Sequence, residues 1–173
     1  MQLKESTALI TTLFILILLS QTTFRIGKKK FAQVVCTAHL TQLYSSLIAE
    51  LEENPLIFAQ NPEKPWHALL SKTVRQSYFT CPATQKHVSD HGSSKIHYAM
   101  NQRVYNILKA GKPLPDTGEN TILFIDSAID PIGFQLFPLT NPAFRHNGGC
   151  NILHTNGTVQ WVEKELFGEN TVY

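Results

Sequence analysis

Cysteine and histidine are the side chains of this sequence best suited to nucleophilic or metal chemistry, and it contains three cysteines and seven histidines. The spacing of Cys36, Cys81 and Cys150 matches no zinc-binding pattern. Cys150 has His146 and His154 close in sequence, as in a Cys/His nucleophile pair, but a cysteine in a strand usually serves as inert packing. The chain lacks G-x-S-x-G, P-loop and H-E-x-x-H motifs. We therefore predict no catalytic residues, no resident metal and no enzymatic activity.

Acidic residues are the other group that could bind a cation. Asp116, Glu119, Asp126 and Asp130 provide carboxylate oxygens, the ligands that calcium prefers. Their spacing does not match an EF-hand loop, so we interpret them as capping and turn residues, and calcium is the one cofactor left to consider. The net charge of +2 is too small to indicate nucleic-acid binding.

The N-terminal segment, which would position the rest of the chain, is apolar. Residues 6–24 carry no charge, and a helix of that length would be roughly 28 Å long, close to the thickness of a bilayer core. Basic residues at positions 25 and 28–30 follow it, as in a membrane flank. We predict a membrane anchor with its basic flank in residues 1–30 and a head in residues 31–173. A cleaved signal peptide is the alternative, although no small-x-small cleavage site follows the apolar run.

Residues 31–53 show the periodicity of a helix with one apolar face. The large apolar residues recur at helical spacing and indicate a stripe that packs on the head: Leu40, Leu43, Tyr44, Leu47, Ile48 and Leu51. Pro55 ends this helix, because proline cannot continue the backbone hydrogen bonding. The anchor and the stripe together predict one long helical spine.

The C-terminal third has the composition of β-strands. Residues 121–125 form a β-rich run that ends at Asp126. Asn156-Gly157 separates two alternating segments, and both residues tolerate positive φ, so we predict a β-hairpin closed by a type I′ turn. With the spine, this predicts an α+β fold in which a long N-terminal helix packs on a small antiparallel sheet.

Four segments of the chain carry a resemblance to one protein family. They are Cys36-Thr-Ala-His-Leu40-Thr-Gln42-Leu43, Phe79-Thr-Cys81-Pro82, Thr121-Ile-Leu-Phe124-Ile-Asp126-Ser127 and the stretch from residue 145 to residue 162. They resemble, in order and spacing, segments of the pilin-like proteins that carry a C-terminal H-x9-DG signature and are related to the major pseudopilin of type II secretion. The signature residues here are Arg145, His146, Asn147, Gly148, Gly149, Asn156, Gly157 and Trp161.

The resemblance implies a pilin-like fold and a non-catalytic structural subunit of a type II secretion or type IV pilus-related assembly. Its implied partners are other pilin-like subunits, assembly proteins and the bacterial inner membrane, with no nucleic acid. The chain would cross that membrane once and hold its head in the periplasm, although the basic flank points the other way under the positive-inside rule. Cys36 and Cys81, which stand in matching segments, are implied to form a disulfide, as an oxidising compartment allows.

Two departures from the family pattern bear on function. Asn156 replaces the signature aspartate, which keeps the turn chemistry and removes a negative charge. Met1-Gln-Leu-Lys-Glu5 replaces the prepilin motif, and Glu5 is the candidate for the glutamate that contacts a neighbouring subunit during assembly. The alternative to an assembly subunit is a membrane-anchored, monomeric periplasmic binding protein that kept the fold and lost assembly.

Overall fold

Helix α1 (Gln2–Glu53) dominates the computed structural model of the chain. The structure describes residues 2–84, 96–115, 121–127, 136–137 and 141–167, without the side chains of residues 2–10 and 25. The helix has 52 residues and is therefore about 78 Å long at 1.5 Å per residue. Gly27 lies within it and does not interrupt it, so the helix runs unbroken across the predicted boundary after residue 30.

The two halves of α1 have different surroundings. Its first described side chain that is buried is Cys36, and the described side chains of residues 11–35, which we name the stem, are exposed or half-exposed. Beyond it, Leu40, Leu43 and Leu47 are fully buried, and Tyr44 and Leu51 pack beside them, which confirms five of the six predicted stripe residues; Ile48 is only half-buried. Within the described part of the chain, no helical stretch is both long enough and apolar enough to qualify as a membrane span.

Short helical segments connect α1 to the sheet. They are α2 (Ile57–Gln60), α3 (Trp66–Leu70) and a 3-10 turn (Gln76–Phe79). Trp66 is fully buried, and its ring lies 4.8 Å from that of Phe124 and 5.9 Å from that of Phe79, measured between centroids. Aromatic packing therefore joins this connecting region to the centre of the sheet.

The sheet has five strands in the order β3-β1-β2-β4-β5. Their bounds are β1 (Tyr98–Asn101), β2 (Ile122–Asp126), β3 (Leu136–Phe137), β4 (Gly149–His154) and β5 (Val159–Glu163). Neighbouring strands are antiparallel except β3, which pairs parallel to β1. The α+β fold is confirmed, as is the hairpin of β4 and β5, but the expectation of a purely antiparallel sheet is wrong because β3 makes it mixed.

Both faces of the inner strands are covered, whereas β5 at the edge of the sheet is mostly exposed. Helix α4 (Gln102–Lys109) follows directly from β1. The face towards α1 forms the main core, to which Phe124 and Leu153 contribute. A second, smaller core on Ile125, Cys150 and Ile152 is covered in part by the C-terminal segment that includes Phe167. Every residue of β2 and β4 is therefore buried, including Asp126 at the end of β2.

Candidate functional site

Four chemically active side chains meet in the interior of the head. Cys36 comes from α1, Cys81 follows the 3-10 turn, Asp126 ends β2, and His146 precedes β4. Their ligand-type atoms all lie within 4.8 Å of one another, and none of the four residues is more than 2% exposed. We name this set the interior cluster. Each of its members comes from a different one of the four segments that carry the family resemblance.

The contacts inside the interior cluster form a chain from sulfur to carboxylate. The Cys36 thiol donates to Cys81 Sγ at 2.6 Å, and Cys81 Sγ lies 3.3 Å from His146 Nε2. The same ring nitrogen lies 3.3 Å from Asp126 Oδ2, which also accepts the backbone N–H of Asn151 at 2.8 Å. Asp126 Oδ1 has no hydrogen-bond partner among the residues that the structure describes. His146 Nδ1 is likewise without a hydrogen-bond partner among them, so the protein leaves one carboxylate oxygen and one ring nitrogen of the cluster unsatisfied.

The surrounding backbone fixes where Cys81 lies. Its N–H donates to His97 Nδ1 at 2.9 Å, so His97, which directly precedes β1, positions Cys81. The carbonyl of Thr80 lies 3.0 Å from Nδ1 of His39 on α1. Two histidines outside the interior cluster therefore tie the Cys81 segment to the sheet and to the helix.

Burial and mutual contact shift the acidity of the interior cluster. The hydrogen bond from Cys36 lowers the pKa of Cys81 to about 5, with burial opposing this shift and His146 adding to it. The same hydrogen bond, together with burial, raises the pKa of Cys36, which stays a thiol. Burial disfavours a charged imidazole, but hydrogen bonds to Asp126 and Cys81 outweigh it and raise the pKa of His146 to about 9. His146 is therefore held in its imidazolium form at neutral pH, beside the Cys81 sulfur.

A tight turn presents His146 to the interior cluster. His146 and Gly149 exchange backbone hydrogen bonds of 3.1 and 3.0 Å, and the residues between them, Asn147 and Gly148, have φ of 54° and 85°. Positive φ at both central residues is the pattern of a type I′ turn. The Trp161 indole N–H donates to the His146 carbonyl at 2.8 Å. The backbone of His146 closes this turn, while its ring contacts Cys81 and Asp126.

The predicted turn type at Asn156-Gly157 is wrong, although the hairpin is present. Only Gly157 of the two has positive φ, 84°, and its N–H donates to the His154 carbonyl at 3.0 Å. A three-residue loop of this kind is a type I turn followed by a left-handed residue. Asn156 Oδ1 instead accepts the N–H and hydroxyl of Thr158 at 3.0 and 2.7 Å. Asparagine therefore stabilises the loop through its side chain.

Replacing Gly157 by alanine is expected to destabilise the protein more than replacing Gly148. Both glycines have left-handed φ, where a Cβ costs about 1–2 kcal/mol. A Cβ at Gly148 meets no atom within 4 Å, whereas one at Gly157 lies 2.8 Å from Tyr44 Cε1. Displacing that ring also breaks the 3.2 Å hydrogen bond from the Tyr44 hydroxyl to the Thr155 carbonyl, which adds about 1 kcal/mol. Urea unfolding of the two variants measures this difference, and equal losses would rule out the Tyr44 contact as its cause.

The remaining predicted residues lie in different places. Arg145 donates to Thr84 Oγ1 at 2.7 Å and to the Ser127 carbonyl, so it braces the loop before His146. Glu5 lies in the first turns of α1, and its side chain is outside the described ones. Of the acidic residues considered for calcium, Asp126 lies in the interior cluster, and the three others, at positions 116, 119 and 130, are outside the described residues.

Cys150 lies on the opposite side of the sheet from Cys36. It is fully buried in the second core, and burial raises the pKa of its thiol to about 12. A thiol with that pKa is a poor nucleophile at neutral pH. Its position agrees with the interpretation of this cysteine as packing.

Sequence reasoning did not identify the interior cluster as one site. Its residues are separated by up to 110 positions in the chain, and no local spacing connects them. The signal that was present is that each resemblance segment contains at least one cysteine, histidine or aspartate. No protein-family model, curated protein or solved structure matches the chain. Function has to be inferred from the chain's own residues.

Proposed function

We propose that the chain is a non-catalytic, pilin-like structural subunit that assembles through the stem of α1. The stem is the observation that carries this proposal, because its described apolar side chains are exposed around the whole helix. Those side chains are 46–70% exposed: residues 13–19, Phe24, Ile26, Phe31 and Val34. Soluble monomers rarely expose a contiguous apolar surface of this size, so such a surface requires a covering partner.

The proposed covering partners are the bacterial inner membrane before assembly and the stems of like subunits afterwards. When long helices pack side by side in a bundle, each helix buries apolar side chains on every side. A helix that packs through one stripe needs apolar residues on one side only, so the all-round apolar surface of the stem favours the bundle. The basic residues that end the apolar segment, Lys28, Lys29 and Lys30, are exposed and suit the boundary with lipid head groups. In this arrangement the head lies in the periplasm.

The head's proposed role is to present a surface rather than to catalyse a reaction. The stripe of Leu40, Leu43 and Leu47 fixes the head to α1 through the main core. The helix and the head would therefore move as one body when a subunit is inserted into an assembly. Cys150, the one cysteine outside the interior cluster, is buried packing, so it does not support a nucleophilic mechanism.

A charge placed in the stem is expected to abolish assembly. Ile17 is 46% exposed, and its replacement by lysine puts an ammonium group into the proposed apolar contact. In a membrane-like environment this costs about 3 kcal/mol, or about 100-fold in the partition between free and assembled subunit. Gln21→Lys is the matched control, because it adds the same charge one helical turn later at an exposed polar position.

The measurement is the yield of each variant in the membrane and sheared polymer fractions of the native cell, with the N-terminus determined by mass spectrometry. Wild type and Gln21→Lys should be recovered in the sheared polymer, and Ile17→Lys should be lost from it. Recovery of wild type only as a membrane-bound monomer would favour the anchored binding protein instead. A mature N-terminus near Gln21 in a soluble fraction would contradict the role of the stem altogether.

A further inference from the structure

We propose that the reduced chain binds one Zn²⁺ ion through Cys36, Cys81, Asp126 and His146. This inference goes beyond assembly through the stem and does not depend on it. The metal would join α1, the segment after the 3-10 turn, β2 and the turn before β4, which are four separate parts of the head. One bound ion would therefore fix the spine helix to the sheet at the point where the head begins.

The positions of the donor atoms support a tetrahedral site. With Zn–S of about 2.3 Å and Zn–N or Zn–O of about 2.0 Å, the ligand atoms of a tetrahedral ion lie roughly 3.3–3.8 Å apart. The contact of Cys81 Sγ with His146 Nε2 and that of His146 Nε2 with Asp126 Oδ2 are both 3.3 Å. The two sulfurs, at 2.6 Å, have to separate by about 1 Å to share an ion.

The donor types select the metal. Two thiolate sulfurs and an imidazole nitrogen favour zinc, whereas calcium and magnesium require shells of oxygen ligands. The site is fully enclosed, as structural zinc sites are, because each of its residues is at most 2% exposed. The unpartnered Oδ1 of Asp126 is a second indication, since a buried carboxylate oxygen needs a hydrogen-bond donor or a cation. The calcium considered from the sequence is replaced here by zinc.

The metal and the predicted disulfide require the same two sulfur atoms. Oxidised glutathione would convert the two thiols of Cys36 and Cys81 into one disulfide and release two molecules of reduced glutathione. The disulfide leaves only His146 and Asp126 as ligands, which is too few for a structural zinc site. One chain can therefore hold the metal or the disulfide, but not both.

The test uses the full chain in detergent micelles, purified anaerobically with a phosphine reductant. The protein is equilibrated with zinc sulfate, freed of unbound metal by gel filtration, and analysed for zinc by mass spectrometry. Wild type is expected to retain one zinc per chain, and Cys36→Ser is expected to lose more than about 100-fold in affinity, since a direct ligand is removed. Cys150→Ser is the matched control: it removes a buried thiol outside the interior cluster and should retain the metal.

Two further measurements do not depend on a variant's folding. Cobalt substituted into reduced wild type should show the thiolate-to-metal charge transfer of two sulfur ligands, and wild type oxidised with glutathione should release its zinc. The proposal is overturned if reduced wild type retains no zinc, if the cobalt spectrum lacks thiolate charge transfer, or if the oxidised protein keeps the metal. An equal loss of zinc in Cys150→Ser and Cys36→Ser would also overturn it.

Discussion

Replacing Asp126 by alanine is expected to lower the free energy of unfolding by about 3–5 kcal/mol, because it removes one partner of a buried ion pair. Asp126 and His146 are both fully buried, and the carboxylate oxygen lies 3.3 Å from the ring nitrogen. The substitution also leaves the Asn151 N–H, which now donates to that oxygen at 2.8 Å, without its acceptor. The loss is expected in the metal-free protein and requires neither zinc nor a disulfide.

Urea unfolding of the full chain in the presence of a chelator measures this effect. Glu163→Ala is the control, since Glu163 is an exposed carboxylate on β5 and its removal should change stability by less than about 0.5 kcal/mol. A double-mutant cycle of Asp126→Asn with His146→Gln isolates the pair itself. If the two single losses are additive, the ion pair does not contribute, and the burial of Asp126 needs another explanation.

Local periodicity predicted the parts of the fold in which neighbouring residues determine the structure. Leu40, Leu43 and Leu47 are buried as predicted because helical spacing places them on one face whatever the head contains. The β4–β5 hairpin is present because Asn156-Gly157 limits the connection to a short loop. In both cases the signal lies within a dozen residues of the chain.

Strand β1 was not predicted, because its structure depends on strands that lie later in the chain. Tyr98–Asn101 is buried on both faces of the sheet, so it lacks the alternation of apolar and polar residues that marks a half-exposed strand. It is a strand because β2 and β3 pair with it from either side, and both partners come later in the chain. Strand β3, with two residues, is too short to show the pattern of a strand by itself.

The two Asn-Gly pairs show why turn type was harder to predict than turn position. Asn147-Gly148 has positive φ at both residues, while Asn156 at the predicted type I′ turn does not. The same dipeptide adopts different turns because strand register decides how many residues the loop must span. Between His146 and Gly149 the loop has two residues, and the β4–β5 loop has one more.

The interior cluster could not be predicted from spacing, because three-dimensional pairing brings its members together. Asp126 reaches His146 because β2 lies beside β4, and the turn that presents the histidine immediately precedes β4. Cys36 reaches Cys81 because the buried stripe of α1 continues towards the 3-10 turn. The sequence marked Asp126 as the polar end of an apolar strand and as one of four acidic residues considered for calcium. The Cys36–Cys81 pairing was implied by the resemblance alone, and the structure holds both as thiols in contact.

Oxidation of the metal-free chain is expected to join Cys36 to Cys81, and reduction of that bond is expected to lower the free energy of unfolding by about 4 kcal/mol. The two residues are separated by 45 positions, and closing a loop of that length restricts the unfolded chain by about this amount. Cys150 is expected to stay a free thiol, because it lies in the second core, on the other face of the sheet from Cys36. The prediction applies to glutathione-oxidised protein with a chelator present.

Peptide mass spectrometry without reduction identifies the bond, and urea unfolding with and without reductant measures its contribution. Cys150→Ser should lose the same stability on reduction as wild type, whereas Cys36→Ser should show no dependence on reductant. Recovery of Cys36 as a free thiol, or joined to Cys150, would disprove the pairing. If the bond forms but reduction costs less than about 1 kcal/mol, strain of the disulfide in the folded protein offsets the restriction of the unfolded chain.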